Sequence, residues 1–375
     1  MKRLNQTTIL IFALIALIGC KYNKEQHAYP KIEFGNPIEE DISKRIRCRF
    51  IPLSTDSVLL GHIDIIRFID NRIFILDRKR TNSLYIFDES GDFIKKISSI
   101  GQGPEEYSML SNFFIDEKNR KLVLADYNKS FLKYFDLHTY KYLYSEKFDF
   151  FTDCMPIGDD KWAWFMPRGF TTPKRKSYYL KITSNKDETI SLLNEAYFTS
   201  PHVINPNNHF HQYKDNTFIH FPFSDTVWKI ENDSTYIAYS VAFGNKQMPT
   251  LSYMKKIGKD KRDYTGELFR SGYVYTYNIL ETDDYIQITY MCDKKTYIGF
   301  YNKTKKIAKT YEFPEFIKSS GLTGFQGVIG TYDNNFICYI NPEVLKRNHT
   351  NNKDLQEIAT NLKEDDNPII CIFKY

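Results

Sequence analysis

Short runs rich in Ile, Phe, Tyr and Val recur from about residue 43 to the end of the chain, separated by turns containing Asn, Asp and Gly. Apolar runs of this length between such turns are typical of β-strands. Residues 71–98 predict one strand ending at Asp77, a second ending at Phe87 and Asp88, and a third after a turn. Long helical patterns are few, so the chain is predicted to be all-β.

The pattern repeats with a fixed period. Asp126 lies 49 residues after Asp77, and a second Phe-Asp pair ends at Asp136, 48 residues after Asp88. Weaker copies follow at residues 158–193, 213–243, 284–313 and 335–375, which makes six units. Periods in this range, with about four strands per unit, are typical of propeller blades. The sequence therefore predicts a six-bladed β-propeller.

A propeller ring must close, because an open ring leaves exposed strand edges. Residues 47–53 form a β-like segment before the first complete unit, and we expect them to add the outer strand of the last blade. Leu355, Ile358 and Leu362 have helical spacing behind Asp354, which predicts a capped helix within the last unit. Residues 250–268 suggest a second small helical insert.

The first nineteen residues have the pattern expected of an export signal. Lys2 and Arg3 precede a ten-residue apolar run at 9–18, which is short of the roughly twenty residues that span a bilayer. A buried core helix is the alternative, but the charged start favours a cleaved signal peptide at residues 1–19. Residues 17–20 resemble the bacterial lipobox, which implies a lipid on Cys20 after cleavage.

The predicted organisation has two parts after the signal. Residues 20–42 are polar, contain Pro30 and Pro37 and lack a sustained period, so they are interpreted as a lipidated tether. Residues 43–375 form the propeller. Removing residues 1–19 lowers the formal charge from +5 to +3, with cations and anions interspersed. This distribution argues against nucleic acid as a partner.

Five cysteines remain besides Cys20, and no C-x-x-C motif occurs. The absence of this motif argues against a zinc ribbon or a thioredoxin-like site. An odd number of cysteines cannot all form disulfides within one chain. Most of the five are predicted to be buried small apolar residues. At least one thiol stays free.

The chain resembles the six-bladed β-propeller lipoproteins of Gram-negative gut bacteria, which are related in architecture to NHL-type propellers. The segments that carry the resemblance are residues 49–53, 100–107, 224–228 and 367–372. The resemblance implies the propeller fold and favours a lipid-anchored location at the outer membrane. It implies no common activity, so no site residues transfer from the family.

One candidate ligand site lies in the third unit. Trp162 and Trp164 alternate along a strand and so face the same way, beside a basic loop containing Arg168 and Arg175. An aromatic platform next to guanidinium groups suits a sugar ring or an acidic glycan. The alternative is that the two tryptophans pack between blades and that the cations belong to a solvated turn.

The histidines offer a candidate metal site. His202, His209 and His211 fall within ten residues, and His209 and His211 share a face if this segment is extended. Two imidazoles on one face can bind Zn²⁺ or Cu²⁺ when a third ligand is added. A solvated loop cluster is the favoured interpretation, because the segment has no cysteine and few carboxylates.

Gly101, Gly103 and Pro104 look superficially like a phosphate cradle, but their spacing fits neither a dinucleotide motif nor a P-loop. A turn between blades, followed by a short helix after Pro104, is expected instead.

Together these patterns predict an extracytoplasmic, membrane-anchored propeller that binds an envelope protein, a peptide or a glycan. No catalytic residues and no cofactor are predicted. The alternative is a propeller lyase or hydrolase that uses a divalent metal.

Overall fold

The computed structural model describes residues 29–149, 151–158, 161–184, 188–198, 209–258 and 263–375. Lys31–Tyr375 form one folded unit. The predicted signal peptide and Cys20 lie outside the described residues. No helix in the described ranges is long and apolar enough to cross a bilayer.

Six sheets make up the fold, as predicted. Two short strands come first in the chain and join later blades: β1 (Lys31–Glu33) and β2 (Arg47–Pro52). Blade 1 contains β3 (Ile65–Ile69), β4 (Arg72–Asp77), β5 (Ser83–Asp88) and β6 (Phe93–Ile97). Blade 2 contains β7 (Leu110–Asp116), β8 (Lys121–Asp126), β9 (Phe131–Asp136) and β10 (Tyr142–Lys147). Blade 3 contains β11 (Asp153–Pro156), β12 (Lys161–Thr171), β13 (Ser177–Ser184) and β14 (Thr189–Glu195).

The last three blades carry the helices. Blade 4 contains β15 (Phe210–Tyr213), β16 (Asn216–His220), β17 (Thr226–Glu231) and β18 (Ser234–Ala242), and is followed by α1 (Leu251–Ile257) and α2 (Tyr264–Phe269). Blade 5 contains β19 (Val274–Glu281), β20 (Tyr285–Cys292), β21 (Lys295–Asn302) and β22 (Ile307–Glu312), and is followed by α3 (Phe313–Ser320). Blade 6 contains β23 (Phe325–Tyr332), β24 (Asn335–Ile340), α4 (Pro342–Arg347), α5 (Lys353–Asn361) and β25 (Ile369–Lys374).

The strands of each blade pair in chain order, with the first strand innermost. The inner strands β7, β11, β15, β19, β23 and β3 contact one another in this order around the central axis, and the contact of β23 with β3 closes the ring. Three hairpins close through two-residue turns in which both central residues have positive φ: Asp70–Asn71, Asp293–Lys294 and Asp333–Asn334. Such turns match the twist of the paired strands and favour Asn and Asp.

The repeated aspartates anchor the chain that enters each blade. Asp77 and Asp126 end the second strands of blades 1 and 2 and are fully buried. The Asp77 carboxylate accepts from Gly61 N at 2.9 Å, and the Asp126 carboxylate accepts from Ser108 N at 2.8 Å. Each carboxylate therefore satisfies a backbone amide in the segment that leads into its blade's first strand.

The second repeated pair caps turns. Asp88 Oδ1 accepts from the backbone amides of Ser90 and Asp92, each at 2.9 Å. Asp136 Oδ1 accepts from Thr139 N at 2.7 Å in the equivalent turn of blade 2. The repeated Phe-Asp pair therefore places an aspartate that accepts backbone hydrogen bonds at the equivalent turn of blades 1 and 2.

Ring closure follows the predicted route. β2 pairs antiparallel with β25, from Arg47 opposite Lys374 to Pro52 opposite Ile369, and so supplies the outer strand of blade 6. One buried apolar cluster then spans the seam between blades 6 and 1, and its members include Ile51, Ile370, Ile73 and Phe87. Burying one such side chain stabilises the fold by about 1.5–3 kcal/mol.

The side-chain amide of Asn367 also stabilises the closure of the ring. Its Oδ1 accepts from Leu60 N at 2.8 Å, and its Nδ2 donates to Ser54 O and Val58 O, each at 2.7 Å. Asn367 is itself buried. One side chain therefore satisfies three backbone groups of the segment between β2 and β3.

Two expectations about the periphery need correction. The tether predicted over residues 20–42 is not free beyond Pro30, because β1 adds a fifth, parallel strand to blade 4 and buries Ile32. Ile42 is also buried, and its amide donates to Ser319 O. The expected helix after Pro104 is absent from this described segment, which forms turns. The helices expected near 250–268 and 354–363 are confirmed, and Thr250 is the N-cap of α1. The expected cap of the second helix is wrong, because Asn352 is the N-cap of α5 and Asp354 lies in its first turn.

Asn367→Ala should destabilise the propeller by roughly 2–3 kcal/mol, because three partly buried backbone groups lose their partner. Urea unfolding monitored by tryptophan fluorescence measures the effect. Asn361→Ala, an exposed asparagine at the end of α5, is the matched control and should change the midpoint little. Equal midpoints for both variants would show that the Asn367 contacts do not secure the seam.

Candidate functional site

All five helices of the described chain lie at one face of the propeller. α1 and α2 precede the inner strand of blade 5, α3 precedes that of blade 6, and α4 and α5 join the second and third strands of blade 6. In a blade whose first strand is innermost, these connections all lie where the inner strands begin. We call this the helix-bearing face.

A cleft of about 500 Å³ opens on the helix-bearing face of blade 6. It lies between α3, the start of β23, α4 and the segment after α4. The residues lining it are Phe313, Pro314, Ile317, Lys318, Gly321, Thr323, Gly324, Phe325, Gln326, Val344, Asn348, His349 and Asn351. A volume in this range suits a small ligand or part of a larger one.

The cleft combines apolar side chains with polar groups. Ile317 and Val344 are partly or largely exposed, whereas Phe325 is buried. Its polar side chains include amides, an imidazole and the exposed ammonium of Lys318, and these described lining residues include no Asp or Glu. Lys318 lies 3.5 Å from Glu315, a surface pair of small energetic weight.

A second polar group lies near the beginnings of the inner strands. Arg67 of β3 donates through Nη2 to Asn112 Oδ1 of β7 at 3.1 Å. Asn112 also hydrogen-bonds the carboxyl group of Asp153 in β11, which accepts from His209 N at 3.2 Å. We call Arg67, Asn112, Asp153, His209 and His220 the channel cluster. It links blades 1 to 4 through polar contacts.

Burial shifts the pKa values of the ionisable side chains in the channel cluster. Burial raises the pKa of Asp153 to about 6, although hydrogen bonds from Cys154 N, His209 N and Asn112 oppose that change. Burial also lowers the pKa of Arg67 to about 10, with an opposing effect from the Asp153 charge. The guanidinium lies 4.5 Å from the centre of the Phe113 ring, which favours the cation.

His220, at the end of β16, donates its backbone amide to His209 O at 3.1 Å, just before β15, and both side chains are buried. His209 Nδ1 lies 3.1 Å from His220 O, and His220 Nε2 lies 3.1 Å from Tyr277 O. A carbonyl can only accept, so each of these nitrogens carries the proton of a neutral ring. His209 Nε2 and His220 Nδ1 remain buried without a partner among the described residues.

Burial lowers the pKa of His209 to about 4 and holds the pKa of His220 well below its ordinary value. Both rings are therefore neutral at pH 7, and each has a nitrogen lone pair available to a donor or a metal ion. Within the described ranges, no three His, Cys, Asp or Glu side chains form a group that could hold a metal ion.

The predicted histidine set is thus rearranged. His209 and His211 are buried rather than solvated, because His211 lies in the inner strand of blade 4 and His209 directly precedes that strand. His211 stacks on Phe218 and lies 3.7 Å from Glu281, which pairs with Lys303 at 2.6 Å. His202 lies outside the described residues. The cross-strand partner of His209 is His220, which alternation along one strand does not predict.

The predicted aromatic platform is wrong. Trp162 and Trp164 do share a face of β12 and stack at 5.6 Å, but only 5% and 2% of their surfaces are exposed. Trp162 packs on Phe114 of blade 2, and Trp164 donates to Thr183 Oγ1 at 2.8 Å. Both rings are therefore packing residues.

Arg168 and Arg175 lie apart from these rings, at the far end of β12 and in the turn to β13. Both are exposed. Since this turn joins the second and third strands of blade 3, it lies at the helix-bearing face. The two cations can contribute to that face without forming a site with Trp162 and Trp164.

The segment around Gly101 joins blade 1 to blade 2. Glu106 accepts from Gly103 N at 2.6 Å, and the buried Tyr107 hydroxyl bonds Asn82 O and Ile97 O at 2.9 and 3.0 Å. These contacts agree with the expected turn between blades. A carboxylate occupies the space beside the glycines, so an anion would be repelled there.

The channel cluster predicts opposing pH effects on stability. The folded state retains the Asp153 proton between pH 3.8 and about 6, so this group adds stability as the pH falls through that window. The unfolded state binds the His209 proton between pH 6.5 and about 4, so that group removes stability as the pH falls. From pH 7 to 5 the gain is roughly 1 kcal/mol and the loss roughly 2 kcal/mol.

Asp153→Asn should therefore steepen the loss of stability between pH 7 and 5, whereas His209→Gln should reduce it. Part of the loss remains in His209→Gln, because burial also lowers the pKa of His220. Urea unfolding at both pH values measures the change within each variant, which removes any pH-independent destabilisation. If both variants lose the same free energy of unfolding as the parent between the two pH values, Asp153 and His209 do not have the shifted pKa values described.

Comparison with known proteins agrees with this architecture. A Bacteroides fragilis protein described as exported has a crystal structure that matches with a TM-score of 0.85 at 25% identity, over 92% of this chain and 99% of that chain. A member of the DUF4221 family from Bacteroides vulgatus matches with a TM-score of 0.56 at 10% identity, over 90% and 97% respectively, and supports the fold alone. No curated protein matches the chain. Residues 21–339 match a family described as a six-bladed β-propeller, and the chain therefore belongs to that family, DUF5128.

Proposed function

We propose that the protein is an exported, lipid-anchored binding module whose helix-bearing face receives an envelope protein, a peptide or a glycan. The observation that carries this proposal is the cleft of blade 6. It is open, combines apolar and polar side chains, and is separated in sequence from the channel cluster. This composition suits recognition of a ligand.

The anchor part of the proposal rests on the N-terminal sequence. Residues 1–19 have the charged start and short apolar run of a signal peptide, and Cys20 follows a lipobox-like segment. The similar Bacteroides fragilis protein is described as exported. The family resemblance favours the outer membrane. Because β1 begins at Lys31, only a short segment would separate the lipid from the propeller, which would hold it close to the membrane surface.

A metal-dependent lyase or hydrolase is the second candidate function. It is favoured by the two buried imidazole nitrogens that lack partners, His209 Nε2 and His220 Nδ1. A catalytic metal needs about three protein ligands and an open position. This candidate therefore requires a further ligand beyond the two histidines.

Val344→Trp should weaken binding of a cleft ligand at least about tenfold, or about 1.4 kcal/mol, because the indole would occupy the cleft. Leu251→Trp on α1 is the matched control, since Leu251 and Val344 are 42% and 38% exposed on helices of the same face. Oligosaccharide and peptide panels are screened by thermal shift, and ligands found are titrated by calorimetry.

Retained affinity in Leu251→Trp with loss in Val344→Trp would support the cleft. A ligand that binds all three proteins equally would place recognition elsewhere. Stoichiometric metal in the purified protein, lost together with a hydrolytic or lyase activity in His209→Gln, would favour the second candidate.

Cys20→Ala should abolish acylation, because the thiol that accepts the lipid is removed. Metabolic labelling with a fatty acid and membrane fractionation of the full-length chain measure the change. Cys48→Ala, which alters a cysteine within β2, is the control and should leave labelling intact. Equal labelling of Cys20→Ala and the parent would refute the anchor.

A further inference from the structure

Three of the five cysteines outside the predicted signal and anchor meet in the blade that closes the ring. Cys48 lies in β2, Cys338 in β24 and Cys371 in β25. Cys154 and Cys292 belong to blades 3 and 5. All five are free thiols in this structure.

The register brings the three thiols together. Cys338 lies directly opposite Cys371 in the antiparallel pair of β24 and β25. Phe50 is opposite Cys371 on the other side, which places Cys48 diagonally across on the same face. The Cys371 thiol hydrogen-bonds the thiols of both Cys338 and Cys48.

The two possible partners of Cys371 differ in geometry. Residues directly opposite in an antiparallel pair have Cβ atoms about 4.5–5.5 Å apart, whereas diagonal neighbours are farther apart. A disulfide needs Cβ atoms roughly 3.5–4.5 Å apart. Cys338 therefore needs a smaller adjustment than Cys48 to bond with Cys371.

Because the two thiols are buried, they are oxidised faster during folding than in the folded protein. Cys338 and Cys371 are fully buried, and burial raises the pKa of both thiols. Because the thiolate is the reacting species, oxidation is slow once blade 6 has formed. It is faster in the folding chain, where Cys338 and Cys371 are consecutive cysteines.

We propose that Cys338 and Cys371 are a disulfide-forming pair, oxidised as the chain folds outside the cytoplasm, with Cys48 placed to exchange onto Cys371. This inference rests on the proposed export. The oxidant is a disulfide present in the compartment. The thiols of Cys338 and Cys371 give up two electrons and two protons and form one S–S bond. The external disulfide accepts these electrons and protons, its S–S bond breaks, and it leaves as two thiols. In the exchange, the Cys48 thiolate bonds to the Cys371 sulfur and Cys338 leaves as the thiolate. This step is also faster before blade 6 is complete, because a hydrogen bond with Cys371 and burial raise the pKa of the Cys48 thiol in the folded blade.

The two bonds would have different consequences. The Cys338–Cys371 bond joins neighbouring strands of one blade. A Cys48–Cys371 bond would join the first strand of blade 6 in sequence to its last and lock the ring covalently. Exchange at Cys371 thus gives the closing blade two alternative crosslinks.

The full-length chain is expressed with its own signal, extracted in acid, denatured, alkylated and mapped by mass spectrometry without reduction. The parent should contain a crosslinked peptide pair carrying Cys338 and Cys371, and two of its five thiols outside the anchor should resist alkylation. Cys48→Ser should keep this bond. Cys338→Ser should instead contain a Cys48–Cys371 bond, and Cys371→Ser should contain neither.

Alkylation of all five thiols in parent protein that has lost residues 1–19 would overturn the inference while leaving export intact. A bond that excludes Cys371 would also overturn it, and no bond in Cys338→Ser would refute exchange by Cys48. If residues 1–19 are retained, export itself has failed, and residues 20–375 are refolded in a glutathione redox buffer. Formation of the Cys338–Cys371 bond there supports the pairing, and its absence overturns it.

Discussion

The pairing of β2 with β25 is the constraint on which the other features of the molecule depend. It joins segments separated by more than three hundred residues, and without it β25 would be an exposed edge of a buried, strongly apolar blade. The apolar cluster at the seam, the Asn367 amide and the row of three cysteines all lie in or beside this blade. The cleft also depends on it, because β23 belongs to the same sheet and α4 directly follows β24 of that sheet.

The inner strands of neighbouring blades are connected by polar side chains. They carry Arg67, Asn112 and Asp153 on successive blades, and each of these side chains is bonded to the next. Buried polar groups are tolerated where partners satisfy them. The polar contacts therefore link neighbouring blades around the axis, while apolar side chains fill the space between sheets. Three buried nitrogens of the cluster lack a hydrogen-bond partner among the described residues: Arg67 Nη1, His209 Nε2 and His220 Nδ1. They mark the part of the cluster where a ligand could add a contact.

The sequence predicted the ring better than the sites. The period from Asp77 to Asp126 was informative because both carboxylates perform one hydrogen-bonding task, and residues 47–53 were recognisable by their β-like composition. The inner strands β11 and β15 were not, since each has only four residues and includes polar ones. Alternation correctly placed Trp162 and Trp164 on one face. It could not show that the face meets Phe114 of the preceding blade, because contacts between blades leave no local pattern.

The cleft had no sequence signal. Its lining residues come from α3, β23 and α4, and α3 and α4 are short helices that were not predicted. The partner of His209 was missed for a similar reason, because β15 and β16 had to be placed in register before His220 could be recognised.

Native-state amide hydrogen exchange of the mature protein tests ring closure most directly. If β2 is an integral strand of blade 6, its hydrogen-bonded amides should exchange as slowly as those of β4 and β8 and respond to denaturant in the same way, because opening the seam exposes the whole ring. Fast, denaturant-independent exchange of β2 with full protection of the other blades would contradict this account, since it would show that the propeller persists without its closing strand.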